Sequence, residues 1–122
     1  MTDDDLKLTY QEWNGAFFYG ILPDMPVVFR EAKSIYGLGS FECCLKETKM
    51  PFSIQMIEGT GAIEISTACE DQWEGVLAHE MVHAYFAVVG LGRELHGPRF
   101  QAKCRKIETE MGRPIPRTLR FA

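Results

Sequence analysis

The chain has no long hydrophobic run. Its longest apolar stretch, Ala84 to Leu91, falls far short of the roughly 20 residues that cross a bilayer, so no membrane-spanning helix is expected. The first residues, Met1-Thr2-Asp3-Asp4-Asp5, are acidic and lead into no apolar core of the kind that directs secretion. No two of the four cysteines, Cys43, Cys44, Cys69 and Cys104, stand as C-x-x-C. The spacing for a cysteine-built zinc site is therefore missing, and adjacent Cys43 and Cys44 would point to opposite faces of a strand. Reduced thiols in a cytoplasmic protein, used mainly as small core residues, are the expectation. There are no internal repeats, no low-complexity segments and no linker, so the 122 residues read as one domain, 1–122, around one core. The strongly basic, aromatic-studded pattern of a dedicated DNA-binding surface is also missing.

Charge is not evenly spread. The net −4 is made of −9 over residues 1–92 and +5 over residues 93–122. A basic C-terminal quarter can face an anionic partner such as nucleic acid, or it can be a solvated helix face followed by a basic tail.

What the chain does contain is His79-Glu80-Met81-Val82-His83, an H-E-x-x-H stretch expected by chance in about one in a few hundred chains of this length. On a helix, residues four apart lie one above the other. Two imidazoles so placed can bind one Zn²⁺ from the same side, and Glu80, next to His79, can hold a water polarised by the metal. The plain alternative is a histidine pair on a solvated helix face. The surrounding pattern argues for more. Asp71-Gln72-Trp73-Glu74 has the form of a helix start, with Asp71 as cap and Glu74 reaching back, and helical spacing runs to Val89, where Gly90 or Gly92 can close it. Leu77, Met81, Ala84, Tyr85 and Val88 form a core stripe, with His79, Glu80 and His83 on a neighbouring face. His96 follows, just before Gly97-Pro98, which suit the N-cap and first position of another helix. That helix presents Phe100, Cys104, Ile107 and Met111 to the core. His96 is the candidate third ligand, with Glu94 as its competitor.

Elsewhere, Leu6, Tyr10, Trp13 and Phe17 mark the apolar face of a first helix, broken at Gly20 and the Pro23–Pro26 run. Val27-Val28-Phe29 reads as a short strand. Tyr36 to Gly39 reads as a turn. Phe41, Cys43 and Leu45 alternate with polar residues as a strand, as do Phe52, Ile54 and Met56, and then Ile63 and Ile65 after a turn at Gly59–Gly61. These suggest an α+β domain: about three helices on a small antiparallel sheet with one buried face. Residues from Gly112 onward are expected to be extended or loosely packed, forming a basic tail over 112–122.

Taken together, Tyr10-Gln11-Glu12-Trp13-Asn14 with Phe17-Phe18 and Leu22-Pro23, then His79–Ala84, then His96-Gly97-Pro98-Arg99-Phe100, resemble in order the first helix, zinc helix and His-Gly-Pro segment of SprT-like metalloproteases. The resemblance spans about residues 7–111. That family includes the Spartan proteases, which digest proteins crosslinked to DNA. The resemblance implies a zincin-like fold, one Zn²⁺ held by His79, His83 and His96, and Glu80 as catalytic base. It further implies a protein or peptide substrate and, for a DNA-directed member, a nucleoid or nuclear location. Where the family often has an acidic residue after His-Gly-Pro, this chain has Arg99, at the rim of the expected cleft. Many members continue into a zinc ribbon or another DNA-binding segment, for which this chain offers no cysteine pairs.

Three imidazoles would leave the fourth zinc position to water, as an open catalytic site needs. Tyr85, Arg93 and Arg99 are candidates to help stabilise the oxyanion. Two other readings compete. One is a non-catalytic zinc-stabilised module that binds nucleic acid or protein. The other is a zinc hydrolase acting on a small amide, because H-E-x-x-H specifies how water is activated and not what is cut.

Overall fold

A computed structural model describes residues 2–31, 39–47, 54–92 and 95–115, and for residues 69–71 the backbone alone. Helix α1 spans Asp3–Phe17. The acidic start is a capping box: the Thr2 hydroxyl accepts from the Asp5 N–H at 3.2 Å, and the Asp5 carboxylate accepts from the Thr2 N–H at 3.0 Å. Three aspartates in the first turn also suit the positive end of the helix dipole. Leu6 and Tyr10 are buried and Trp13 and Phe17 pack on the core, as the spacing required. Asn14 holds the chain that leaves the helix. Its amide donates to the Leu22 carbonyl at 2.9 Å and its carbonyl accepts from the Leu22 N–H at 3.0 Å.

Strand β1 spans Val27–Arg30, β2 Gly39–Glu42, β3 Leu45–Glu47, β4 Ile54–Met56 and β5 Ala62–Ser66. They form two sheets, one ordered β1-β5-β2 and the other β3-β4. The expected sheet was antiparallel throughout. In fact β5 pairs parallel with β1 and antiparallel with β2, so the larger sheet is mixed, with Ile63 and Ile65 of its central strand fully buried. The alternation from Phe41 to Leu45 is also not one strand. The chain changes sheets at Cys43-Cys44, where the Cys44 N–H donates to the Thr60 hydroxyl at 2.9 Å and its carbonyl accepts from the Ile57 N–H at 2.8 Å. Phe41 and Cys43 are half-buried while every residue of β3 is exposed, so the alternation does not mark one continuous buried face, and the partners of the two segments differ. Tyr36 to Leu38, Pro51 and Phe52 lie outside the described residues.

Helix α2 spans Trp73–Val88. Its start differs from the expected Asp71 cap: a 3-10 turn covers Thr67–Gln72, Gln72 is the N-cap, and no side chain caps the helix. The Asp71 side chain is outside the described residues. Gly90, at φ 88°, follows the helix in the left-handed conformation that other residues resist. Helix α2 is central: every residue from Gly75 to Val82 is buried, between the sheets on one side and helix α3 (Pro98–Met111) on the other. Helix α3 has Gly97 as N-cap and Pro98 in its first turn, as read from sequence. Lys103 joins it to α1. The ammonium donates to the Phe17 carbonyl at 2.9 Å and lies 5.2, 5.2 and 4.7 Å from the ring centroids of Phe18, Tyr19 and Tyr85. Helix α1 has no basic residue in its own last turn, so this cation from α3 serves its negative end.

The segment after α3 is packed rather than loose as far as Ile115. That side chain is buried, its N–H donates to the Glu108 carboxylate at 3.0 Å, and Arg113 pairs with Glu74. Residues 116–122, the rest of the expected tail, lie outside the described residues. Cys43 and Cys44 are free thiols, and Cys104 is buried in the core. No helix among the described residues is long and apolar enough to cross a membrane.

Candidate metal centre

His79 and His83 are four residues apart on α2, and their Nε2 atoms stand 3.2 Å apart. The His96 Nε2 lies 3.2 Å from each of them, brought there by the turn that opens α3. The three nitrogens thus form an equilateral triangle. Three imidazoles cannot satisfy one another in that arrangement, because each Nε2 carries one in-plane lone pair or one proton, and both other nitrogens compete for it. A tetrahedral ion bound at about 2.0–2.1 Å needs ligand nitrogens about 3.3–3.4 Å apart. The donor set therefore fits a single borderline metal ion. No other group of three His, Cys, Asp or Glu side chains among the described residues converges in this way.

The three ligands differ in burial: His79 is 2 % exposed, His83 is intermediate and His96 is exposed. Burial, reinforced by the neighbouring His79 and His96, pushes the His83 pKa down to about 3. The imidazole is then neutral, the form that binds metal. Glu80 is 4 % exposed, not on a solvated face as a simple amphipathic helix would place it. Burial pushes its pKa up to about 8, against which the backbone N–H of Phe41 on β2 donates to the carboxylate. A cation held by the histidines would favour the ionised form.

Phe100, fully buried, touches all three imidazoles. Its ring centroid lies 4.9 Å from that of His79, 4.5 Å from His83 and 5.0 Å from His96. The sequence marked Phe100 as a core residue but carried no sign of this second role. The Phe41 contact was not legible either, because the donor is backbone from a distant strand and has no side-chain signature.

The Tyr85 ring packs against Phe18 and Phe86 at 5.8 and 5.7 Å and lies over the Lys103 ammonium. Arg99 is exposed in the first turn of α3. Arg93 and Glu94 lie outside the described residues.

A helix-borne histidine pair and a third histidine just before the next helix, close enough together to hold one metal ion, with a buried carboxylate beside the first, mark this α+β domain. The SprT-like family matches residues 6–120, nearly the whole chain, and the chain belongs to that family, which is associated with metallopeptidase-like proteins. Comparison with curated proteins yields no match.

Proposed function

We propose that this chain is a zinc metallopeptidase that hydrolyses peptide bonds, with His79, His83 and His96 as metal ligands and Glu80 as general base. The observation that carries this reading is the triangle of Nε2 atoms, each 3.2 Å from the other two, with two of the three histidines on the same helix as a buried carboxylate. When bound, zinc supplies Lewis acidity, which polarises the scissile carbonyl and brings the pKa of water from about 15.7 toward 7. The Glu80 carboxylate accepts the proton of the attacking water and then delivers it to the leaving amine nitrogen. The Phe41 N–H fixes one side of that carboxylate, so its orientation is set before substrate arrives. Strand β2 ends the three-stranded sheet and touches Glu80 through Phe41. An extended segment of protein laid beside an edge strand suits this arrangement better than a small amide does.

The resemblance to Spartan-type proteases extends the proposal to proteins bound or crosslinked to DNA. On α3, Arg99, Arg105 and Lys106 are exposed, and we infer that this basic part makes the DNA contact. Affinity that falls steeply with salt is expected of such contacts. The decisive experiment combines metal analysis with cleavage of a DNA-bound protein, with and without DNA. Glu80→Gln should retain zinc and lose cleavage. Undiminished proteolysis by that variant refutes the mechanism. Zinc saturated by four protein ligands would instead favour the non-catalytic module.

A further inference from the structure

We propose that Phe100 is a positioning residue for the metal site: its ring is the common floor that sets the angles of all three histidines. This rests on the metal-site reading above and goes beyond it, because that reading needs only the ligands and Glu80.

The argument begins with what holds each imidazole. A metal-binding histidine usually has its second ring nitrogen fixed by a carboxylate, a carbonyl or water. Among the described residues, no protein group bonds the second nitrogen of His83 or of His96. What both rings do contact is Phe100, tilted 34° to His83 at 4.5 Å and edge-on at 88° to His96 at 5.0 Å. His79 meets the same ring at 67° and 4.9 Å. These separations and angles fall in the range that aromatic quadrupoles favour. One fully buried ring therefore restrains three ligands, two on α2 and one just ahead of α3.

The ring is itself fixed. Phe86 of α2 packs against it at 6.3 Å. Phe100 also lies in the first turn of α3, four residues after His96, and that turn is held from both sides. The Gln101 N–H donates to the Gly97 carbonyl at 3.0 Å, and the Gln101 side chain donates to the His96 carbonyl at 3.2 Å. Helix α3 thus delivers the third ligand and the floor as one unit. An aliphatic residue of similar size would fill the space but would lack the flat face and edge that discriminate ring angles. Loss of an orienting contact around a metal site typically costs 10–100-fold in affinity.

The test compares Phe100→Leu, which fills the site without a ring, with Phe100→Tyr, which keeps the ring, and with Ile107→Ala, a buried α3 change away from the histidines. Zinc affinity is measured by chelator competition, and the ligand field by the visible spectrum of the Co²⁺-loaded protein, on samples shown to be folded by circular dichroism. Phe100→Leu should bind zinc 10–100-fold more weakly with an altered cobalt spectrum, while Phe100→Tyr and Ile107→Ala stay near the parent. If Phe100→Leu does not fold, the remaining two decide: Phe100→Tyr and Ile107→Ala both near the parent in affinity and spectrum sustain the proposal, and a loss of about 10-fold or more in either overturns it. Parent-like affinity and spectrum in Phe100→Leu also overturn it. If the parent chain binds neither metal, the metal-site reading falls first and this one with it.

Discussion

The three histidines should separate in thermal unfolding, because they contribute equally to the triangle but unequally to the core. With free zinc at 100 times its dissociation constant, binding to the folded state alone adds about 2.7 kcal/mol. At about 2.1 cal/mol/K per residue, a chain of 122 residues has an unfolding entropy of about 0.26 kcal/mol/K. The melting temperature should then rise by about 10 °C over the chelated protein. His96 is exposed, so His96→Ala should change the metal-free protein by no more than about 0.5 kcal/mol, near 2 °C. It should, however, remove most of the zinc response, because a 100-fold loss of affinity leaves only about 0.4 kcal/mol, or under 2 °C, at the same zinc concentration. His79 is 2 % exposed and packed on Phe100. His79→Ala should lose the zinc response and also cost the metal-free protein about 2–3 kcal/mol through the cavity it leaves, about 8–12 °C. The assay is a melt of each variant in chelator and in buffered zinc. A full zinc shift in His96→Ala would refute the three-histidine site. Equal metal-free melting of His79→Ala and His96→Ala would refute the burial argument.

Four further outcomes follow from other contacts. In the metal-free protein, the Glu80 pKa is raised from 4.5 to about 8, so its share of stability is whole below pH 4.5 and lost as pH rises through 8; Glu80→Gln should gain about 4–5 kcal/mol over the parent between pH 4 and pH 9, and parallel stability curves in chelator would contradict this. Lys103→Met removes the cation from the Phe17 carbonyl and the three rings and should cost about 1–2 kcal/mol in urea unfolding. Asn14→Ala breaks both bonds to Leu22 and should cost about 2 kcal/mol; a change within error would mean that the turn holds itself. Gly39→Ala places a Cβ 2.7 Å from Val76 Cγ1 and 3.1 Å from the Glu64 carbonyl, so β2 must move off α2 at about 1–3 kcal/mol, with a loss of peptidase activity larger than the stability change predicts.

Much of the framework was legible because its signals are local. Gly97-Pro98 marks a helix start through the chemistry of those two residues alone, and α3 begins there. The spacing of Leu6 and Tyr10 reports the buried face of α1 for the same reason. His79 and His83 were readable as a pair because a helix converts sequence distance into spatial distance. Signals failed where the outcome depends on distant partners. Alternation gives the faces of a strand but not its neighbour, so the parallel β1–β5 pairing and the change of sheet at Cys43-Cys44 were hidden. The helical wheel places Glu80 beside the core stripe, but only the packing of β2 and α3 around α2 shows that both sides are covered. The Asp71 cap was a sound local pattern overruled by a 3-10 turn that continues the chain from β5.

Glu80 is the residue where local and global preferences disagree most. A carboxylate in the middle of a buried helix is costly, and the protein offsets that cost with one donated N–H, from Phe41. Stability alone would favour an apolar residue there, like the Met81 and Val82 that follow it and are fully buried. The nearby imidazoles do not compensate it, since burial keeps His83 neutral. Such conflicts persist at functional sites, where a group is kept for its chemistry rather than its contribution to folding. A cation held in that triangle would supply the missing compensation: a positive charge beside Glu80 would restore the ionised form that the proposed general base requires. The ligands and the base are therefore interdependent. Removing a histidine should impair Glu80 as well as the metal, so the losses of activity in a histidine variant and in Glu80→Gln should be far from additive when combined.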